Sequence, residues 1–171
     1  MRCTSAFAQR YLPGMRGVEA IGGLINGSGY YVHAGWAKYT FKKNRYFINA
    51  EFLQRNYNSE VGTIPVQQFT GGIGYYKRLL SDYTQSAVLA AGVTALMGYE
   101  TVNWNKKLLP NGGVLTNKDA IIYGFEFDLE FEYYVDDRYV LLGTIKQRAC
   151  AGSSVRMAHT LFGIGIKYIL E

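Results

Sequence analysis

Between Tyr123 and Tyr134 large apolar residues alternate with carboxylates. Tyr123, Phe125, Phe127, Leu129, Phe131 and Tyr133 take one parity, and Glu126, Asp128, Glu130 and Glu132 take the other. A period of two is that of a β-strand, whose successive side chains leave opposite faces, and it does not fit the 3.6-residue repeat of a helix. Two folds accept a strand with one apolar and one acidic face. A soluble sheet buries the aromatic face and leaves the acids in water. A membrane barrel turns the aromatic face to lipid and the acids into a polar interior.

The rest of the chain repeats this pattern. A turn signal at Leu12-Pro13-Gly14 leads into a first run, Gly17 to Leu24, and Asn26-Gly27-Ser28-Gly29 makes a tight connection. The second run, Tyr30 to Thr40, has mixed faces, and the side taken by Trp36 stays open. In the third, Tyr46, Ile48, Ala50 and Phe52 share one face and Asn49, Glu51 and Arg55 the other. A polar stretch, Asn56 to Thr63, reads as a loop. The fourth run sets Phe69, Ile73 and Tyr75 against Gln68, Thr70, Gly72, Gly74 and Arg78. The fifth sets Leu89, Val93, Met97 and Tyr99 against Ala90, Gly92, Thr94 and Glu100. A long connection, Asn103 to Ala120, precedes the acidic strand. Asp136-Asp137 turns the chain into Tyr139 to Arg148, a loop covers Ala149 to Ala158, and the final run follows.

The expected fold is therefore all-β: about eight antiparallel strands in an up-and-down barrel of the outer-membrane type. Eight strands enclose an interior just wide enough for side chains to fill. Connections that alternate in length fit a barrel with short periplasmic turns and longer external loops. On this reading Phe125, Phe127, Leu129 and Phe131 face lipid, with Phe162, Ile164, Ile166 and Tyr168 from the last strand. Glu126, Asp128, Glu130 and Glu132 point inward to meet Lys146, Arg148 and Lys167 in an ion-pair network, because unpaired acids in a narrow interior are costly. Glu19, Glu51, Glu100, Arg55 and Arg78 are further inward candidates. The competing reading is a soluble or surface barrel holding a small hydrophobic ligand, which would point its aromatics inward.

Composition narrows the function. No apolar run approaches the roughly 20 residues of a membrane helix. The net charge of +5 is scattered over turns such as Lys42-Lys43 and Lys106-Lys107, so direct nucleic-acid binding is not expected. Cys3 and Cys150 are far apart and only His33 and His159 could join them, which suggests neither a metal nor a disulfide framework. No serine, cysteine or histidine stands in a context that marks a nucleophile with its base, so no enzyme and no cofactor is expected. In the long connection, Trp104, Lys106, Lys107, Leu108 and Leu109 combine aromatic, basic and apolar surface and form the candidate partner loop.

Both ends carry export signals. Ser5-Ala6-Phe7-Ala8-Gln9 has the small residues read by a signal peptidase, so residues 1–8 are expected to be the remnant of a signal peptide and 9–171 a single barrel domain. Eight residues are short for a leader, which implies a truncated leader or a misassigned start. Gly165-Ile166-Lys167-Tyr168-Ile169-Leu170 resembles the last-strand signal read by the barrel-assembly machinery, although Glu171 follows it in place of a terminal aromatic residue.

Taken together, these segments resemble the TraO family of conjugative-transposon proteins from Bacteroides-type mobile elements. The likeness runs from Ala8-Gln9-Arg10-Tyr11-Leu12-Pro13-Gly14 through Tyr46-Phe47-Ile48-Asn49-Ala50, Gly71-Gly72-Ile73-Gly74-Tyr75-Tyr76 and Gly98-Tyr99-Glu100. It continues through Ile122-Tyr123-Gly124, Asp137-Arg138 and Gly152-Ser153-Ser154-Val155 to Gly163-Ile164-Gly165-Ile166-Lys167-Tyr168. The resemblance implies a component of a DNA-transfer apparatus at the envelope, in contact with other conjugation proteins and with outer-membrane lipid. It implies no catalytic residue.

Overall fold

The computed structural model describes residues 13–40, 44–59, 62–102, 119–153 and 158–170, and every element among them is a strand. The strands are β1 (Arg16–Ile25), β2 (Gly29–Tyr39), β3 (Arg45–Ser59), β4 (Gly62–Ser81), β5 (Ala87–Val102), β6 (Ala120–Tyr134), β7 (Tyr139–Ala151) and β8 (Ala158–Leu170). Each pairs antiparallel with the next, and β8 returns to β1, so the sheet closes and leaves no edge. Arg16 lies opposite Leu170. That pairing puts the start of β1 and the end of β8 at one end of the barrel, here called the near end.

Alternation decides the two surfaces. Along β6 every even position from Ile122 to Tyr134 except half-buried Gly124 is buried, and every odd position is exposed. In β7 the buried parity is Val140, Leu142, Thr144, Lys146, Arg148 and Cys150. Trp36, whose face the sequence leaves open, belongs to the outer parity, in register with Val18 of β1 and Ile48 of β3.

Two connections differ from the expected ones. Asn56 to Thr63 does not form a loop: β3 and β4 stay paired out to Ser59 opposite Gly62, well past the last β4–β5 pair at Val66 and Val102. A polar β-ribbon projects there, because its backbone groups satisfy one another even where no apolar face needs cover. Likewise β7 continues to Ala151, and Ala149 pairs with Ala158, so the expected β7–β8 loop is shortened from both sides. Projection at the far end thus comes from paired strands.

Inside, Tyr39, Tyr134, Val140, Leu142 and Ile169 pack toward the near end, and Ile25, Tyr31, Leu53 and Leu161 toward the far end. Glycines make room for the rings. A Cβ at Gly163 would overlap the Tyr31 hydroxyl and stand 2.8 Å from Ile21, and Gly23 is closed to a side chain by the same ring. The ring is held by a 3.2 Å hydrogen bond between its hydroxyl and that of Thr144. Gly163→Val should therefore displace Tyr31 and lower stability by about 1–3 kcal/mol. Urea unfolding of the folded barrel would measure this, and an unchanged midpoint would contradict the packing.

Candidate functional site: the charged interior

Between the two apolar ends lies a band of ionisable side chains set by strand parity. Glu126, Asp128, Glu130, Glu132, Lys146, Arg148 and Lys167 all point inward and are at most 3% exposed. Glu126 is in register with Arg148, and Asp128 with Lys146, so β6 and β7 present opposite charges to each other.

The contacts form two linked groups. Toward the far end, Arg148 donates from Nε (2.9 Å) and Nη2 (2.6 Å) to Glu126, and Nη2 also reaches Glu51 across the barrel. Lys146 stands 3.2 Å from Glu126 and 3.6 Å from Glu51. Toward the near end, Lys167 donates to Glu130 (3.0 Å) and Glu132 (2.5 Å), and Arg45 forks to the same two acids, with Nη2 2.6 Å from Glu130 and Nη1 on Glu132. Glu19 joins the groups, at 3.3 Å from Lys167 and 3.2 Å from His33 Nε2. His33 Nδ1 lies 3.3 Å from Lys146 and 3.5 Å from Glu51. Asp128 accepts from Thr94 at 3.3 Å.

Each of these four permanent cations touches at least two carboxylates. A buried charge costs several kcal/mol to desolvate, and only such multiple pairing returns it. The arrangement fills the centre of the barrel with side chains, as an eight-stranded closure requires.

Two members were missed in the sequence. Arg45 abuts a polar turn, which hides its facing in the sequence, yet it has the inward parity of Phe47, Asn49 and Glu51. His33 shares the buried parity of Tyr31, Ala37 and Tyr39, a signal blurred by the mixed faces of β2. Other candidates stand apart from the band. Glu100 accepts from Gln68 Nε2 and Ser153 Oγ, both at 2.8 Å. Arg78 is half-buried, and its backbone N–H donates to Asn44. Arg55 is buried and meets His159, with no acid in ion-pair distance among the described residues.

On the outer surface, Phe125, Phe127, Leu129, Phe131, Phe162, Ile164 and Ile166 are exposed, while Tyr168 is half-buried edge-on against Tyr139, with ring centroids 5.2 Å apart. Trp104, Lys106, Lys107, Leu108 and Leu109 lie outside the described residues.

A closed eight-stranded antiparallel barrel with an apolar outside and a charged, filled inside is the architecture of small outer-membrane β-barrels. Solved barrels of that class share the fold. Neisserial surface protein A superposes with a TM-score of 0.67 at 10% identity, covering 91% of this chain and 96% of that one. Outer membrane protein OprG of Pseudomonas aeruginosa gives 0.60 at 10%, covering 94% and 98%. The attachment invasion locus protein Ail of Yersinia pestis gives 0.60 at 7%, covering 93% and 100%. No curated protein matches by sequence. The sequence profile described as conjugative transposon protein TraO matches residues 12–170, and the chain belongs to that family.

Proposed function

We propose that this protein is an outer-membrane barrel that serves a conjugative DNA-transfer apparatus as a structural or interaction component, not as a catalyst. The observation that carries the reading is the outward band of apolar side chains around a charged interior. On β6 it runs from Tyr123 to Tyr133, both exposed, and at a rise of about 3.3 Å per residue and a tilt of about 40° that stretch climbs about 25 Å, the height of a barrel's lipid-facing belt. Further rings sit at its margins: Phe52 and Phe69 pack with tilted rings, centroids 4.9 Å apart, toward the far end, and Tyr139 and Tyr168 pair at the near end. Within the belt the outward polar pair Thr160 and Gln147 bond each other at 2.7 Å, which suits a surface without water.

Family membership supplies the setting. Export through a cleaved leader at residues 1–8 and assembly by the barrel machinery through the β8 signal follow from this reading, with residues 9–171 as the single mature domain. The chain ends then face the periplasm and the far end faces outward. A soluble barrel for a hydrophobic ligand is disfavoured by an interior centred on acids and bases. Other conjugation proteins are the partners, met through the loop around Trp104, Lys106, Lys107, Leu108 and Leu109, with no direct contact to nucleic acid.

Deleting residues 104–117 should leave the protein in the outer-membrane fraction, with a gel mobility that shifts on boiling, while transfer frequency of the element falls. Normal transfer would remove the loop as a contact. Recovery of the intact protein in the soluble fraction without a heat shift would overturn the membrane reading itself.

A further inference from the structure

Four of the buried bases, Arg45, Lys146, Arg148 and Lys167, stand within 4.0 Å of carboxylates. Arg55 is different. It is 6% exposed, and no carboxylate among the described residues lies within ion-pair distance. Its Nη1 donates to His159 Nδ1 at 2.7 Å. Because a guanidinium has no lone pair to offer, the ring nitrogen is the acceptor, so His159 supplies a hydrogen bond and no counter-charge. The Tyr57 ring, with its centroid 4.9 Å from Cζ, adds a cation–π contact. Arg55 Nε is buried and has no hydrogen-bond partner.

The partnerless Nε shares one edge of the guanidinium with Nη2. In a planar guanidinium the Nε–H and one Nη2–H point the same way and form a two-pronged fork, while Nη1 lies on the other side. Nη2 sits beside Gly27 in the β1–β2 turn, 2.7 Å from where a Cβ would stand, and the positive φ of Gly27 (97°) presents a bare Cα there. A side chain at that position would crowd this prong.

We propose that Arg55 is the centre of an oxyanion site at the far mouth of the barrel, binding a phosphate or carboxylate group bidentately on its Nε–Nη2 edge. Both groups present two oxygens at the spacing of the fork, and a charge-assisted pair of this kind is the strong form of the interaction. The oxyanion supplies the counter-charge that the four other bases obtain from glutamates. Gly27 leaves room for Nη2 beside the β1–β2 turn, and His159 and Tyr57 hold the guanidinium plane. The site does not depend on a role in conjugation.

The test is nitrogen-15 NMR of the Arg55 side-chain Nε–H in the intact folded barrel, titrated with inorganic phosphate, with acetate, and with a micellar lipid bearing a phosphate headgroup. Phosphate should give a saturable shift that chloride at equal ionic strength does not. Tighter binding of the micellar phosphate would assign the site to a lipid headgroup, and equal binding to a free anion; either supports it. Arg55→Gln should weaken phosphate binding roughly ten- to a hundredfold, judged by shifts of neighbouring amides. Arg55→Lys keeps the charge but loses the fork and should bind nearly as poorly. A boiling-dependent gel shift verifies that both variants fold. Absence of a saturable shift, an equal response to chloride, or wild-type affinity in Arg55→Lys would overturn the proposal.

Discussion

Arg148→Ala should destabilise the barrel by about 3–5 kcal/mol, the cost of removing one partner from a buried ion pair. The arginine is 1% exposed and binds Glu126 through two nitrogens and Glu51 through one. Truncation leaves two carboxylates with Lys146 as their remaining permanent cation, at 3.2 and 3.6 Å, inside a space that water does not freely enter. Most of the loss is the penalty for those orphaned acids, not the worth of the original pairing. The double variant Arg148→Met and Glu51→Gln should therefore recover much of it, because it removes one charge of each sign and leaves Lys146 paired with Glu126. Urea unfolding in lipid vesicles would compare the two. Should Arg148→Ala unfold at the wild-type urea concentration, the interior network is not what holds the barrel closed.

Phe127→Arg should impair membrane assembly by a comparable amount, about 2–4 kcal/mol for a cation on the lipid face near the midplane. Phe127 lies midway along β6, is 58% exposed, and has outward neighbours Val93 and Gln147 across the strands. Nothing inside the barrel is touched by the change, so a soluble protein would tolerate it. The readout is the folded fraction after insertion into vesicles, with Phe127→Leu as the control for lost aromatic volume. Val135→Arg, in the β6–β7 turn, should be nearly neutral because depth in the bilayer sets the penalty. Equal folding of Phe127→Arg and Phe127→Leu would argue against lipid on this face.

These two predictions use the inner face of β7 and the outer face of β6, and the alternation of both strands is legible in the order of residues. β6 alternates without interruption from Phe125 to Tyr133, so its parity can be assigned from local order alone. β2 could not be assigned this way, since Tyr31 and Tyr39 point inward and Lys38 points outward, against the polarity of their faces. Only registration against β1 and β3 put Trp36 outward and His33 beside Glu19 and Glu51. The β3–β4 ribbon was misread for a related reason. Polar residues from Asn56 onward resemble a loop, but a hairpin beyond an apolar belt needs no apolar face to remain paired.

The sequence by itself determined the strand number, the closed all-β class, the family likeness and which residues of β6, β7 and β8 point inward. Those properties follow from a two-residue period, which is local and survives in one dimension. Tertiary structure alone decided who pairs with whom. Arg148 meets Glu51, and Arg45 meets Glu130 and Glu132, only because closure brings β3 across from β6 and β7. It also decided that Arg55 stands without an acid among the described residues, since distances across a barrel depend on strand stagger, which no single strand records.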